Sequence, residues 1–233
     1  MNKSKSRILS LILAVLMVVV SALPAFAAAD TLKPGVYTAS RTTSYADPET
    51  GKTVDGGTDI ALGDTMCENI LDKKVLVEYD GDKTYITFAL GMMSYIKKDS
   101  VSVAVQQKNG KYKDVPITFT GKSTSKLDGD DVYHYRFEVP SATSRFRPKF
   151  YVMPMSRDVI FFAQVKGTPV PGNTTGYKAE KGTPAGIAQA AKHKRNRTIW
   201  TVVICVVAAA VIACVCVLIA KKAKKKGKKD EKD

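Results

Sequence analysis

Between Gly35 and Val165 the sequence is a succession of short β-rich runs, each cut off by a turn signal, and no other feature constrains the fold as strongly. The runs are Gly35 to Arg41, Lys74 to Tyr79, Thr84 to Leu90, Ser100 to Gln106, Val115 to Thr120, Asp131 to Val139, Phe146 to Met153 and Val159 to Val165. Apolar and polar side chains alternate along most of them, as a half-buried strand requires. Asp80-Gly81-Asp82, Asn109-Gly110 and Asp128-Gly129 lie between runs and carry the chemistry of hairpin turns, so neighbouring strands are expected to pair antiparallel. The one helical stretch in this region, Ala61 to Leu71, is short, with Asp64 as its expected cap. The expected fold class is all-β: an immunoglobulin-like antiparallel β-sandwich with one short helix.

The β-rich region is only the middle of a segmented chain. The formal charge of +14 over 233 residues suggests a nucleic-acid partner until it is divided by region. Residues 30–167 carry 19 basic against 18 acidic side chains, so the excess lies at the ends and no nucleic acid is expected. Lys3, Lys5 and Arg7 precede the apolar stretch Leu11 to Val20, and Ala25-Phe26-Ala27 has the small-x-small pattern of a cleavage site, so 1–27 reads as a signal peptide. The ectodomain is assigned to 28–166. Residues 167–197, with Pro169, Pro171, Pro184 and five glycines and then a basic stretch, read as a linker. Thr198 to Ala220 is free of charge over 23 residues, which at ~1.5 Å per residue spans about 34 Å, a single C-terminal transmembrane helix. Residues 221–233, opening on Lys221 and Lys222, read as a basic cytoplasmic tail. The chain is thus expected to be a single-pass cell-membrane protein with its ectodomain outside, touching the lipid bilayer through 198–220.

Enzymatic chemistry finds little purchase. His134 is the only histidine of the ectodomain, no glycine-rich phosphate loop or Cys/His zinc spacing occurs, and Asp128, Asp130 and Asp131 are explained by turns. Cys67 is alone in this region, which excludes an internal disulfide there, because Cys205, Cys214 and Cys216 all fall in the apolar run. A non-enzyme is expected.

The methionines stand out instead. Met92 and Met93 at a strand end suit core filling, whereas Met66, Met153 and Met155 sit where the chain turns. A thioether is also a soft neutral ligand for iron or copper. Position alone leaves three readings: packed methionines in an Ig-like adhesion or interaction module without a metal, a methionine-based copper carrier, or an iron-cofactor protein.

One family carries a resemblance. Leu62-Gly63-Asp64-Thr65-Met66, then Lys74-Val75-Leu76-Val77-Glu78-Tyr79-Asp80-Gly81-Asp82-Lys83-Thr84-Tyr85-Ile86-Thr87-Phe88, then Ser94-Tyr95-Ile96-Lys97 resemble the haem-transport NEAT modules of Gram-positive bacterial surfaces, in the same order of elements. Those modules grip haem between a short helix and the last β-hairpin. Their hairpin supplies a ligating tyrosine, but Arg157-Asp158-Val159-Ile160-Phe161-Phe162 has none. The chain is more similar to the Shp-type cell-surface haem-binding domain, a NEAT relative with the same signal, domain, helix and basic-tail layout. That resemblance implies haem b as cofactor, with Met66 and Met153 as iron ligands. It implies a slot walled by Ile70, Leu71, Tyr151, Met155 and Phe161, and Lys73 or Arg157 on a propionate. The implied role is a relay that receives haem from an upstream surface donor and passes it to the substrate-binding lipoprotein of a haem ABC importer.

Overall fold

The computed structural model describes residues 32–227, with side chains of residues 210, 211 and 213–227 left aside. The expected signal peptide and the end of the basic tail lie outside the described residues. The alternating runs form strands β1 (Gly35–Ser44), β2 (Lys74–Tyr79), β3 (Thr84–Leu90), β4 (Ser102–Gln106), β5 (Tyr112–Val115), β6 (Ile117–Thr124), β7 (Asp131–Val139), β8 (Phe146–Val152), β9 (Arg157–Ile160) and β10 (Phe162–Pro171). Helix α1 (Ile60–Ile70) lies between β1 and β2, and helix α2 (Pro184–Gly227) follows β10.

Two separate sheets were expected, but all the strands belong to one antiparallel sheet with the order β5-β4-β8-β10-β1-β2-β3-β7-β6, and β9 pairs β8 off that path. The sheet curls until its halves face each other. Phe146 of β8 stacks on Phe88 of β3 at 5.9 Å between ring centroids and meets Phe137 of β7 at 5.0 Å. Four steps of ~4.8 Å along a flat sheet would hold β8 and β3 about 19 Å apart. The two edge strands, β5 and β6, are consecutive in the chain and separated by Pro116 alone, so both edges come together at that residue and the result is barrel-like. Pro116 has no N–H to donate to a ladder, which explains why the expected strand Val115 to Thr120 is cut in two. The expected strand Val159 to Val165 is also divided. Phe161 and Phe162 are both buried, which one continuously alternating strand cannot achieve, so the chain turns there from β9 into β10.

The inner face holds the main core, with Val75, Val77, Ile86, Phe88, Phe137, Phe146 and Phe150 all essentially inaccessible. A second, smaller cluster lies on the opposite face of β2 and β3, where Leu76 and Ala89 pack against Tyr177. Tyr177 belongs to the stretch expected to be a free linker. That expectation is corrected: β10 extends to Pro171, and residues 172–183 form a strap across the outer face of the sheet. Buried Glu78 of β2 accepts from the backbone N–H groups of Glu180 (2.6 Å), Lys181 (2.8 Å) and Gly182 (3.3 Å). Its other oxygen pairs with Arg136 Nε at 2.7 Å, and Arg136 Nη1 reaches Glu180 at 2.8 Å. Buried carboxylates are tolerated when paired and hydrogen-bonded in this way.

Helix α2 runs unbroken through the expected membrane segment and into the tail. Among the described residues no helix is long and apolar enough to cross a membrane. The described side chains of the apolar run end at Ala209, apart from Ile212.

Candidate functional site

Helix α1 is held at its start by Asp59, whose side chain accepts from Leu62 N at 3.0 Å. The expected cap, Asp64, instead accepts from the backbone N–H of Tyr45 at 2.6 Å and ties the helix to the end of β1. Gly63 and Cys67, one turn apart, are its only buried residues, so the helix lays a narrow stripe on the core and leaves the rest in solvent. Gly63 is required by contact: a Cβ there would overlap the Tyr45 ring, and so would one at Gly57. Tyr45 is wedged between helix and loop.

Across from α1 stands the turn between β8 and β9, Met153-Pro154-Met155-Ser156. It is closed by Ser156 N donating to Met153 O at 3.1 Å, with Ser156 at φ 50°, a left-handed conformation worth about 1–2 kcal/mol of strain outside glycine. Met153 N also donates to Tyr95 O at 2.9 Å, which pins the turn to the 3₁₀ turn Met93–Tyr95.

Between helix and turn lies a cleft of about 210 Å³ lined by Tyr45, Leu62, Met66, Cys67, Met155, Arg157 and Val159, with Gly57, Thr58, Asp59 and Gly63. Met66 and Met155 are therefore brought to one cavity. Met153 stands on the same turn, outside the lining, and Ile70 is half-buried against the core. Tyr151 is half-buried, with Lys97 Nζ 5.9 Å from its ring, and Lys73 is exposed; neither lines the cleft. Two expected wall residues are corrected. Leu71 and Phe161 are fully buried in the main core, because both follow directly on an element's end where the chain turns inward.

Met93 is 6% exposed and fills the core as expected, but Met92, expected there too, caps the 3₁₀ turn in a left-handed conformation and is 38% exposed. Met66, Met153 and Met155 are 44%, 46% and 42% exposed, which core filling does not explain.

Arg157 is the cation of the cleft. Asp55, whose side chain is nearly inaccessible, pairs with Arg157 Nη2 at 3.1 Å and accepts from the Tyr45 hydroxyl at 2.8 Å. Arg157 Nη2 also donates to Asp55 O at 3.1 Å. The guanidinium is thus oriented but partly open, as an anchor for an anion must be. Burial, then the Asp55 hydrogen bond, raises the Tyr45 pKa, so Tyr45 stays a phenol. Burial likewise pushes the Cys67 thiol up to about 12, with Asp64 and Asp55 adding to the effect, so it is no thiolate at neutral pH. The sulfur chemistry on offer is neutral thioether. Tyr45, Asp55 and Gly57 were not picked out from the sequence; Gly56-Gly57 after an aspartate was the available signal, and that pattern also marks ordinary turns.

A family model described as "Cell surface heme-binding protein Shp" matches residues 33–181. The chain belongs to this family. It is accordingly a haem-binding surface protein of Shp type and not an enzyme. The match runs to residue 181 and so takes in most of the strap, but not α2. Among solved structures, the NEAT5 domain of IsdX2, a B. anthracis hemophore in complex with haem, is 15% identical, with 58% of this chain and 98% of that one covered at a TM-score of 0.36. A mutant of the same IsdX2-NEAT5 domain in complex with haem is 14% identical, covering 59% and 98%, at a TM-score of 0.37. No curated protein matches the chain.

Proposed function

We propose that this protein is a membrane-anchored carrier that holds haem b between α1 and the β8–β9 turn, with Met66 and Met153 as the iron ligands. The observation that carries the reading is the pair of solvent-exposed thioethers on facing elements beside an oriented guanidinium. Met66 and Met153 would hold the haem iron through neutral thioethers, which would favour its ferrous form. Leu62, Met155 and Val159 offer apolar contact to the ring, Ile70 and Tyr151 lie further along the two elements, and Arg157 meets a propionate. Lys73, exposed beyond the end of α1, is the alternative partner for a propionate. The cleft is smaller than the roughly 300–1,000 Å³ of ordinary small-molecule pockets, so the ring is held by its edge and stays accessible to a partner. That suits a relay between an upstream surface donor and the substrate-binding lipoprotein of a haem ABC importer.

The anchor is α2. Ile199, Trp200, Val202, Val203, Ile204, Val206 and Val207 are exposed, and an apolar helical run that no protein surface covers belongs in lipid. Lys221 and the lysines after it set the cytoplasmic end.

The test is titration of the detergent-solubilised apoprotein with haemin, reading the visible spectrum before and after dithionite. A saturable one-to-one complex with sharp low-spin bands on reduction, shifted or lost in both Met66→Ala and Met153→Ala, is expected. Wild-type spectra in both variants would overturn the ligand pair.

A further inference from the structure

Helix α1 is a poorly buried element for one that carries a ligand. Only Gly63 and Cys67 are inside, and no basic residue of its own sits in the last turn to meet the free carbonyls there. A cation is nonetheless present, supplied from β1. The Arg41 side chain is fully inaccessible and its five N–H donors are all used. Nη2 donates to Glu68 O at 2.6 Å and to Leu71 O. Nη1 donates to the Glu68 carboxylate and to Thr43 Oγ1 at 3.3 Å. Nε donates to Asp72 O at 2.9 Å. One guanidinium therefore collects three backbone carbonyls of the helix terminus and the residue that follows, together with a carboxylate from the helix itself. Asp72 is held in turn by the hydroxyl of Tyr177 in the strap, at 2.6 Å. Arg41 is absent from the lining of the cleft, and its reach ends two residues short of Met66.

We infer that Arg41 is a positioning residue for haem capture: it locks the C-terminal turn of α1 to β1 and so fixes Met66 at the lip of the cleft. The inference rests on the proposal that Met66 ligates haem iron. The weak apolar hold on α1 leaves its position to two polar clamps, Asp64 on Tyr45 N near its middle and the Arg41 fork at its C-terminal end. A lysine keeps the charge but cannot reach five acceptors with one ammonium, so charge alone does not replace the fork. Loss of the clamp lets the last turn fray, and Met66 then samples orientations from which it would not hold the iron.

The experiment compares Arg41→Met, Arg41→Lys and Glu68→Gln with Glu78→Gln, which weakens the strap on the far face. The full chain is studied in detergent, loaded with haemin, well below each variant's melting temperature. The reduced spectrum and the rate of haem loss to excess apomyoglobin are measured. Arg41→Met is expected to convert part of the low-spin spectrum to high-spin and to release haem roughly 10–100-fold faster, the range seen when a partner that orients a metal ligand is removed. Arg41→Lys and Glu68→Gln should lie between it and wild type, and Glu78→Gln should lower the melting temperature with wild-type bands and release. If Arg41→Met does not fold, Arg41→Lys and Glu68→Gln decide the matter by the same readouts. Wild-type spectra and release in the Arg41 and Glu68 variants, with Met66→Ala altered, would overturn the positioning role alone. A wild-type spectrum in Met66→Ala would remove the ligand assignment on which it rests.

Discussion

The two coverings of the sheet follow opposite rules. On the outer face of β2, β3 and β7 the strap seals charge away from water: Glu78 and Arg136 are buried, paired and hydrogen-bonded to backbone. On the inner side, at the cleft, α1 and the β8–β9 turn leave apolar sulfur in solvent and keep a guanidinium half-open. A structural covering pairs the charges it hides, and a binding site leaves apolar surface open until its ligand arrives. The difference teaches where to look for function in a chain with no catalytic constellation: at the apolar groups the fold declines to cover.

The sharpest way to break that comparison is Glu78→Ala. It leaves Arg136 buried without its main partner and three strap N–H groups without an acceptor, so unfolding free energy in urea should fall by about 3–5 kcal/mol. A loss under about 1 kcal/mol would mean that the strap is not a structural covering. Gly63→Ala comes next. Its methyl would strike the Tyr45 ring, and overpacking of this kind typically costs about 1–3 kcal/mol, only partly offset by the better helix propensity of alanine. Thermal melting reads the stability, and faster haem release should accompany it, because α1 carries Met66. Tyr177→Phe removes the hydroxyl that Asp72 accepts at 2.6 Å and should cost about 1 kcal/mol in the same urea assay, with the spectrum of bound haem unchanged.

The smallest effect is a pH dependence of the strap face. His134 packs on Tyr177 at 4.5 Å between ring centroids, and burial lowers its pKa, with Asp72 opposing the shift in part. The unfolded chain therefore takes up a proton first as pH falls through about 6.5, so stability drops there and levels off below the lower folded value. Melting temperatures between pH 7.5 and 5 should show this slope, and His134→Gln should flatten it.

Much of the architecture was legible in local pattern. β2, β3 and β7 lie where alternation and the bounding turns put them, and α1 is displaced by one residue from its expected span, with Asp59 in place of Asp64 at its cap. The cap was misread because either aspartate can offer its side-chain oxygen to a helix N-terminus, and only the approach of Tyr45 N decides which of them turns outward from the helix. Leu71 and Phe161 were expected at the wall for the same reason. An apolar side chain beside a site and one beneath it look alike in sequence, and burial alone distinguishes them.

The sequence by itself determined what depends on neighbours along the chain: strand period, hairpin turns, the short helix, the neutral middle between basic ends, and the methionines at turning points, together with a family resemblance that names haem. Tertiary structure decided what depends on residues far apart. It joined two sheet edges at Pro116, laid the proline- and glycine-rich stretch over Glu78 as a strap, and brought Tyr45, Asp55 and Arg157 under one cleft. These pairings are set by which distant groups must share burial, and a buried charge or an overlapped ring has no signature in sequence until its partner is in place.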